Sequence, residues 1–134
     1  MHPNGSRNKS EMAKAESALK EAESELDRFL ALIEERKSER QSINSRIATE
    51  GTAGNVDGLI ALQTRLSLLD KGIADLVASS AECAQRVESA RRYLYKLYVH
   101  LERLRQEAAY LIDEDPARLT RVRVQIHAIA GEEG

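Results

Sequence analysis

Apolar residues recur along this chain at alternating intervals of three and four. One ladder reads Met12, Ala15, Leu19, Ala22, Leu26, Phe29, Ile33, Arg36, Arg40, Ile43 and Ile47, and only the two arginines break it. A second runs from Leu59 through Leu62, Leu66, Leu69, Ile73, Leu76, Ser80, Cys83, Val87, Ala90, Leu94, Leu97, Leu101, Leu104 and Ala108 to Leu111, with Ser80 its single polar member. A 3-4 spacing held this long keeps one stripe of a helix against a partner helix, the condition for a coiled-coil seam. The ladders predict a first helix over about 9–49 and a second over about 56–112. Asn8 or Ser10 can cap the first helix, and Glu11 stands three residues after Asn8, a capping-box spacing.

Between the ladders lies a short stretch containing Gly51, Gly54 and Gly58. Connections of this size join antiparallel neighbours. A tight reversal needs a residue at positive φ, which glycine adopts without steric cost. The stretch therefore predicts a hairpin turn over 50–55, with these three glycines as its candidates.

Flanking side chains select the register. With Met12 facing Ala90, Glu16 pairs with Arg91, Leu30 with Val77, Lys37 with Asp70, Asn44 with Gln63, and Glu39 with Arg65. A slip of one heptad instead sets Arg46 against Arg65 and Lys37 against Val77. Each exposed ion pair contributes about 0.2–1 kcal/mol, enough to choose a register. The apolar seam, at about 25 cal/mol per Å² buried, holds the fold. Arg36, Arg40 and Ser80 form a polar layer in that seam. Either the arginines snorkel toward Asp70, Glu39 or solvent, or the layer fixes register, as buried polar positions can.

The second ladder outlasts the first. Residues 94–112 lack a partner from the first helix, yet they carry Leu94, Leu97, Leu101, Leu104 and Leu111. The four tyrosines, Tyr93, Tyr95, Tyr98 and Tyr110, lie in or beside the same stretch. Asp115-Pro116 is a helix start, with Asp as cap and Pro in the first turn. Leu119, Val122, Ile126 and Ile129 continue the 3-4 spacing, and Gly131 can stop it. These residues predict a helix over about 116–130 folded back on the overhang. A rival pattern is present. Val122, Val124, Ile126 and Ala128 alternate with Arg121, Arg123, Gln125 and His127, which suits a strand paired with another chain. The expected fold is all-α: a long antiparallel two-helix coiled-coil hairpin whose short C-terminal helix, or strand, packs on the overhang of helix 2. Residues 1–8 read as a mobile arm and 9–134 as one domain.

Composition agrees with long helices. Charged residues make up 31% and aromatics 4%, with one Phe and no Trp, too little aromatic bulk for a compact globular core of this length. A net charge of −2 supplies no overall attraction to nucleic acid or anionic lipid. No apolar run reaches the roughly 20 residues that span a bilayer. The start, MHPNGSRNKS, lacks the apolar core of a signal peptide. The expectation is a cytoplasmic protein, or one built into a particle assembled there, with no membrane contact.

The chemistry-bearing residues form no catalytic pattern. Gly51-x-x-Gly54 lacks the Lys-Ser/Thr of a phosphate loop. His2, His100 and His127 stand far apart, without a second ligand at helical spacing. Cys83 is a seam position, which suits a small buried hydrophobe better than a nucleophile. Glu34-Glu35 and Asp113-Glu114-Asp115 fall on outer faces or in a turn. The reading is a non-enzyme with no catalytic residue, cofactor, metal or small-molecule substrate.

One asymmetry points to a partner. Arg91, Arg92, Lys96, Arg103, Arg105, Arg118, Arg121 and Arg123 gather toward the C-terminal part of the chain, among the tyrosines. Tyrosine and arginine are enriched at protein–protein hot spots. The candidate interface is Arg91, Tyr93, Leu94, Tyr95, Leu97, Tyr98, Leu101, Arg105, Tyr110, Arg121 and Arg123. Basic and aromatic residues together can also track a nucleic-acid backbone, but Glu88, Glu102 and Glu107 dilute the charge and disfavour that reading. In outline the pattern is similar to flagellar and type III secretion stalk proteins, to the hairpin arm of seryl-tRNA synthetase, and to small coiled-coil components of phage particles. No family-specific motif assigns it to one of them. The expected function is structural or adaptor-like, through coiled-coil contacts with protein partners or with itself inside a larger assembly such as a phage particle or secretion machine. The alternatives are an export or assembly chaperone that holds a partner helix, and a nucleic-acid-docking arm.

Overall fold

A computed structural model describes residues 10–131, so the arm expected over 1–8 and the capping candidate Asn8 lie outside the described residues. The chain folds as three helices: α1 (Glu11–Ala53), α2 (Val56–Leu111) and α3 (Pro116–Ala130). α1 and α2 form the antiparallel hairpin and pack extensively, and α3 packs on α2. No strand occurs among the described residues. The 119–130 segment is helical, with Leu119, Val122, Ile126 and Ile129 buried. Val124, which the strand pattern places with them, is 64% exposed.

Each helix end follows from its sequence. Ser10 caps α1: its Oγ accepts from the Ala13 N–H at 3.1 Å, and its carbonyl accepts from the Lys14 N–H. α1 runs past the predicted end and takes Gly51 into its last turn. Gly54 then turns to φ +75°. Its N–H donates to the Gly51 carbonyl, and the Asn55 N–H to the Glu50 carbonyl, which is the paired bonding of a Schellman motif. Asn55 also caps α2, accepting from the Gly58 N–H at 3.1 Å, and its Nδ2 donates to Glu50 at 2.7 Å. The reversal is therefore tighter than the predicted 50–55 loop. Of the three candidate glycines, only Gly54 uses a left-handed conformation. Asp115 caps α3 by accepting from the Arg118 N–H at 3.1 Å, with Pro116 in the first turn.

Contacts divide the chain into two compact units: unit 1, the described residues up to Ala22 together with those from Arg86 onward, and unit 2, Glu23–Gln85. In unit 2 the seam buries Ile33, Ile43, Leu62, Ser80 and Cys83. The Glu39–Arg65 pair expected from the register forms at 2.6 Å. Asp70 is bound by Arg40 rather than by Lys37, which turns to Glu34 at 3.8 Å. Arg36 reaches Glu35, its own neighbour. Both seam arginines thus snorkel outward, because a guanidinium left between leucines would be buried without compensation. Ser80 stays inside and satisfies its hydroxyl by donating to the Val77 carbonyl at 2.8 Å. Cys83 has no exposed surface.

In unit 1 the core joins Ala15 of α1 with Leu97, Leu101, Leu104 and Leu111 of α2 and the four buried residues of α3; Met12 and Leu94 pack at its edge. α3 runs back along α2, tied by Arg118–Glu107 at 3.0 Å. It ends where α1 begins: a Cβ on Gly131 would stand 3.4 Å from that of Ser10. The overhang of α2 is therefore closed within the chain, because the α3 ladder is long enough to cover it.

Candidate protein-contact surface

Closing the seam sorts the residues expected at an interface. Leu97 and Leu101 are 8% and 3% exposed, held under α3 in the unit 1 core, and Leu94 is partly covered. These leucines hold the unit together and are withdrawn from the contact surface. A polar change at Leu97 or Leu101 would unfold unit 1 before it tested assembly.

The tyrosines remain outside. Tyr93, Tyr95, Tyr98 and Tyr110 all lie on α2 and are 48–73% exposed. Tyr98 makes a long hydrogen bond, 3.4 Å, to the Glu16 carboxylate, and Tyr93 borders a shallow groove lined by Glu11, Lys14, Ala15, Ala18 and Ala90. Arg91, Arg105, Arg121 and Arg123 are exposed as well. Arg92 is engaged by Glu88 at 3.2 Å, one helical turn away.

A second groove, of about 410 Å³, lies between α2 and α3. Among the described residues, Ala108 and Ile126 line it with Gly131, and Arg105, Arg123 and His127 supply its polar groups. The sequence pattern did not mark Ala108, Ile126, His127 or Gly131 as contact residues. The available signal was the spacing of Arg123 and His127, four apart and hence on one face of a helix. Their proximity to Arg105 follows only from the fold-back of α3.

Among the described residues, no group of three His, Cys, Asp or Glu is placed to hold a metal ion, and no helix is long and apolar enough to cross a membrane. No protein-family model, curated protein or solved structure matches the chain.

Proposed function

We propose that this chain is a non-enzymatic structural or adaptor protein that works through protein–protein contacts made by unit 1, within a larger assembly such as a phage particle or a secretion machine. The observation that carries this reading is the exposure of all four tyrosines on a unit whose apolar seam is already complete. The fold does not bury them, and rigid amphipathic rings beside guanidiniums are the side chains that anchor interfaces. A chaperone presenting the α2 seam would first have to lift four buried α3 side chains from it. For that reason the contact is assigned to exposed side chains.

The test is site-specific photocrosslinking in the cells or particles that make the protein. A photoreactive phenylalanine analogue would replace Tyr95 or Tyr110, and, as a control, the exposed Ser38 of unit 2. The expected result is a discrete protein adduct from the tyrosine sites and none from Ser38. The absence of any protein adduct from the tyrosine sites would overturn the reading.

A further inference from the structure

Near the hairpin tip, within unit 2, the outer face of α2 is uncharged. Ile60, Ala61, Thr64, Ser67 and Leu68 lie on the side of α2 opposite the seam, and all are exposed. The outward side of a solvated helix ordinarily carries charge, and charged residues make up 31% of this chain. Arg65 and Asp70, the charged residues of this stretch, turn aside to Glu39 and Arg40 of α1. Ile60 and Leu68 are 56% and 67% exposed. Thr64 stands between them, one turn from each, and its hydroxyl is already satisfied by donating to the Ile60 carbonyl at 3.0 Å. A charge closes each end of the face, Asp57 before Ile60 and Lys71 after Leu68. Neither makes an ion pair or hydrogen bond among the described residues.

We infer that this face is a self-recognition surface whose occupant is a second copy of the chain, laid antiparallel with Thr64 against Thr64. A two-fold contact uses the same patch on both partners, so every pairing occurs twice. Ile60 of each copy then covers Leu68 of the other, and Asp57 of each meets Lys71 of the other. The small side chains of Ala61, Thr64 and Ser67 let the helices approach. A parallel stagger of two heptads makes one Asp57–Lys71 pair instead of two, and sets Ile60 against Ala74 and Leu68 against Glu82. An antiparallel slip of one heptad loses both charge pairs and sets Ile60 against Ala61 or Asp75. An antiparallel shift that joins Lys71 to Asp75 keeps two charge pairs but sets Thr64 against Glu82 and leaves Ile60 without its leucine. Only the Thr64-centred pair matches the charges and covers the exposed apolar residues together, so direction and register are both specified. One pair of helix faces buries less than the roughly 1,200 Å² of a standard interface, so the contact is weak and gains strength where many copies are held together. It is separate from the unit 1 surface proposed above, and either holds without the other.

The experiment is disulfide trapping of the full chain under mild oxidation, which captures weak contacts. The variants are Thr64→Cys and, as controls, Ser42→Cys on α1 and Ala78→Cys further along α2. All three positions are exposed, so helical circular dichroism and melting temperature should match wild type. The native Cys83 has no exposed surface, and wild type should form no linked dimer. Thr64→Cys should give a disulfide-linked dimer at least about tenfold faster than either control, because the two-fold axis holds the two sulfurs within bonding distance. Adding Lys71→Asp to Thr64→Cys turns two attractions into two repulsions and should slow the linkage several-fold. The single reversal is made at Lys71 because Asp57 lies in the first turn of α2, where the helix dipole also favours a carboxylate. Adding Asp57→Lys as well makes the signs opposite again and should restore the rate. Linkage from Thr64→Cys no faster than from the controls would overturn the inference. So would a mixture in which Thr64→Cys links to Ala78→Cys faster than to itself, the mark of the parallel stagger. A rate that ignores Lys71→Asp, or one that Asp57→Lys fails to restore, would overturn it too.

Discussion

The three glycines of the hairpin tip look alike in sequence, yet their replacement by alanine should have three different effects. Gly51 lies inside the last turns of α1, and a Cβ there meets nothing within 4 Å. Alanine removes backbone freedom from the unfolded chain and favours helix, so Gly51→Ala should stabilise by about 0.5–1 kcal/mol. Gly54 also has open space around it, but its φ is +75°. A Cβ in the left-handed region costs about 1–2 kcal/mol, so Gly54→Ala should destabilise by that amount through the backbone alone. Gly58 has helical φ, but a Cβ would stand 2.7 Å from Asn55 Nδ2 and 3.2 Å from Glu50 Oε2. The helix gain of Gly58→Ala is then offset by disturbance of the Asn55 cap, about 1 kcal/mol, and the net change should lie near zero. The assay is thermal and urea unfolding followed by helical circular dichroism, where each kcal/mol moves the midpoint by about 3–5 °C for a chain of this size. Gly72, in the middle of α2 with open space, serves as the control and should behave like Gly51. If Gly54→Ala stabilises as Gly51→Ala does, the reversal does not depend on a left-handed residue, and the assignment of Gly54 as the end of α1 is wrong.

Three further outcomes test the rest of the structure. Leu101→Ala should cost about 2–5 kcal/mol and lower the melting temperature, because the residue is 3% exposed between α2 and α3; an unchanged melting temperature would mean that α3 does not cover the overhang. Asp115→Ala should remove the cap of α3, about 0.5–2 kcal/mol, and raise amide exchange in residues 116–130 above that of α1; equal exchange throughout would refute the cap. Arg40→Leu should be neutral or stabilising by about 1 kcal/mol in urea unfolding, since its pair with Asp70 is about half exposed on both sides and leucine suits the seam; a loss above about 2 kcal/mol would show that the arginine layer holds the register.

Local pattern was enough to specify the helices and their buried faces. Every position of the α2 ladder from Leu59 to Leu111 is buried or half-buried, because a 3-4 spacing has only one face on which to place its apolar residues. Short-range chemistry was equally legible: Asp115-Pro116 began a helix, and a glycine ended one. Of the ion pairs expected from the register, Glu39–Arg65 forms, whereas Lys37 and Asp70 take other partners.

Packing between distant segments resolved what local pattern left open. The segment around Val122 to Ala128 carried both a 3-4 and an alternating pattern. The exposed apolar stripe of α2 selected the helix, because a helix could cover that stripe from the same chain whereas a strand needed a partner. That choice buried Leu97 and Leu101, left the tyrosines outside, and brought Arg123 and His127 beside Arg105. Arg40 could have reached several acids, and only the packed geometry chose Asp70. Periodicity states which side of a helix is apolar. Which surface covers that side, and so which residues remain exposed, depends on distances between segments far apart in the chain.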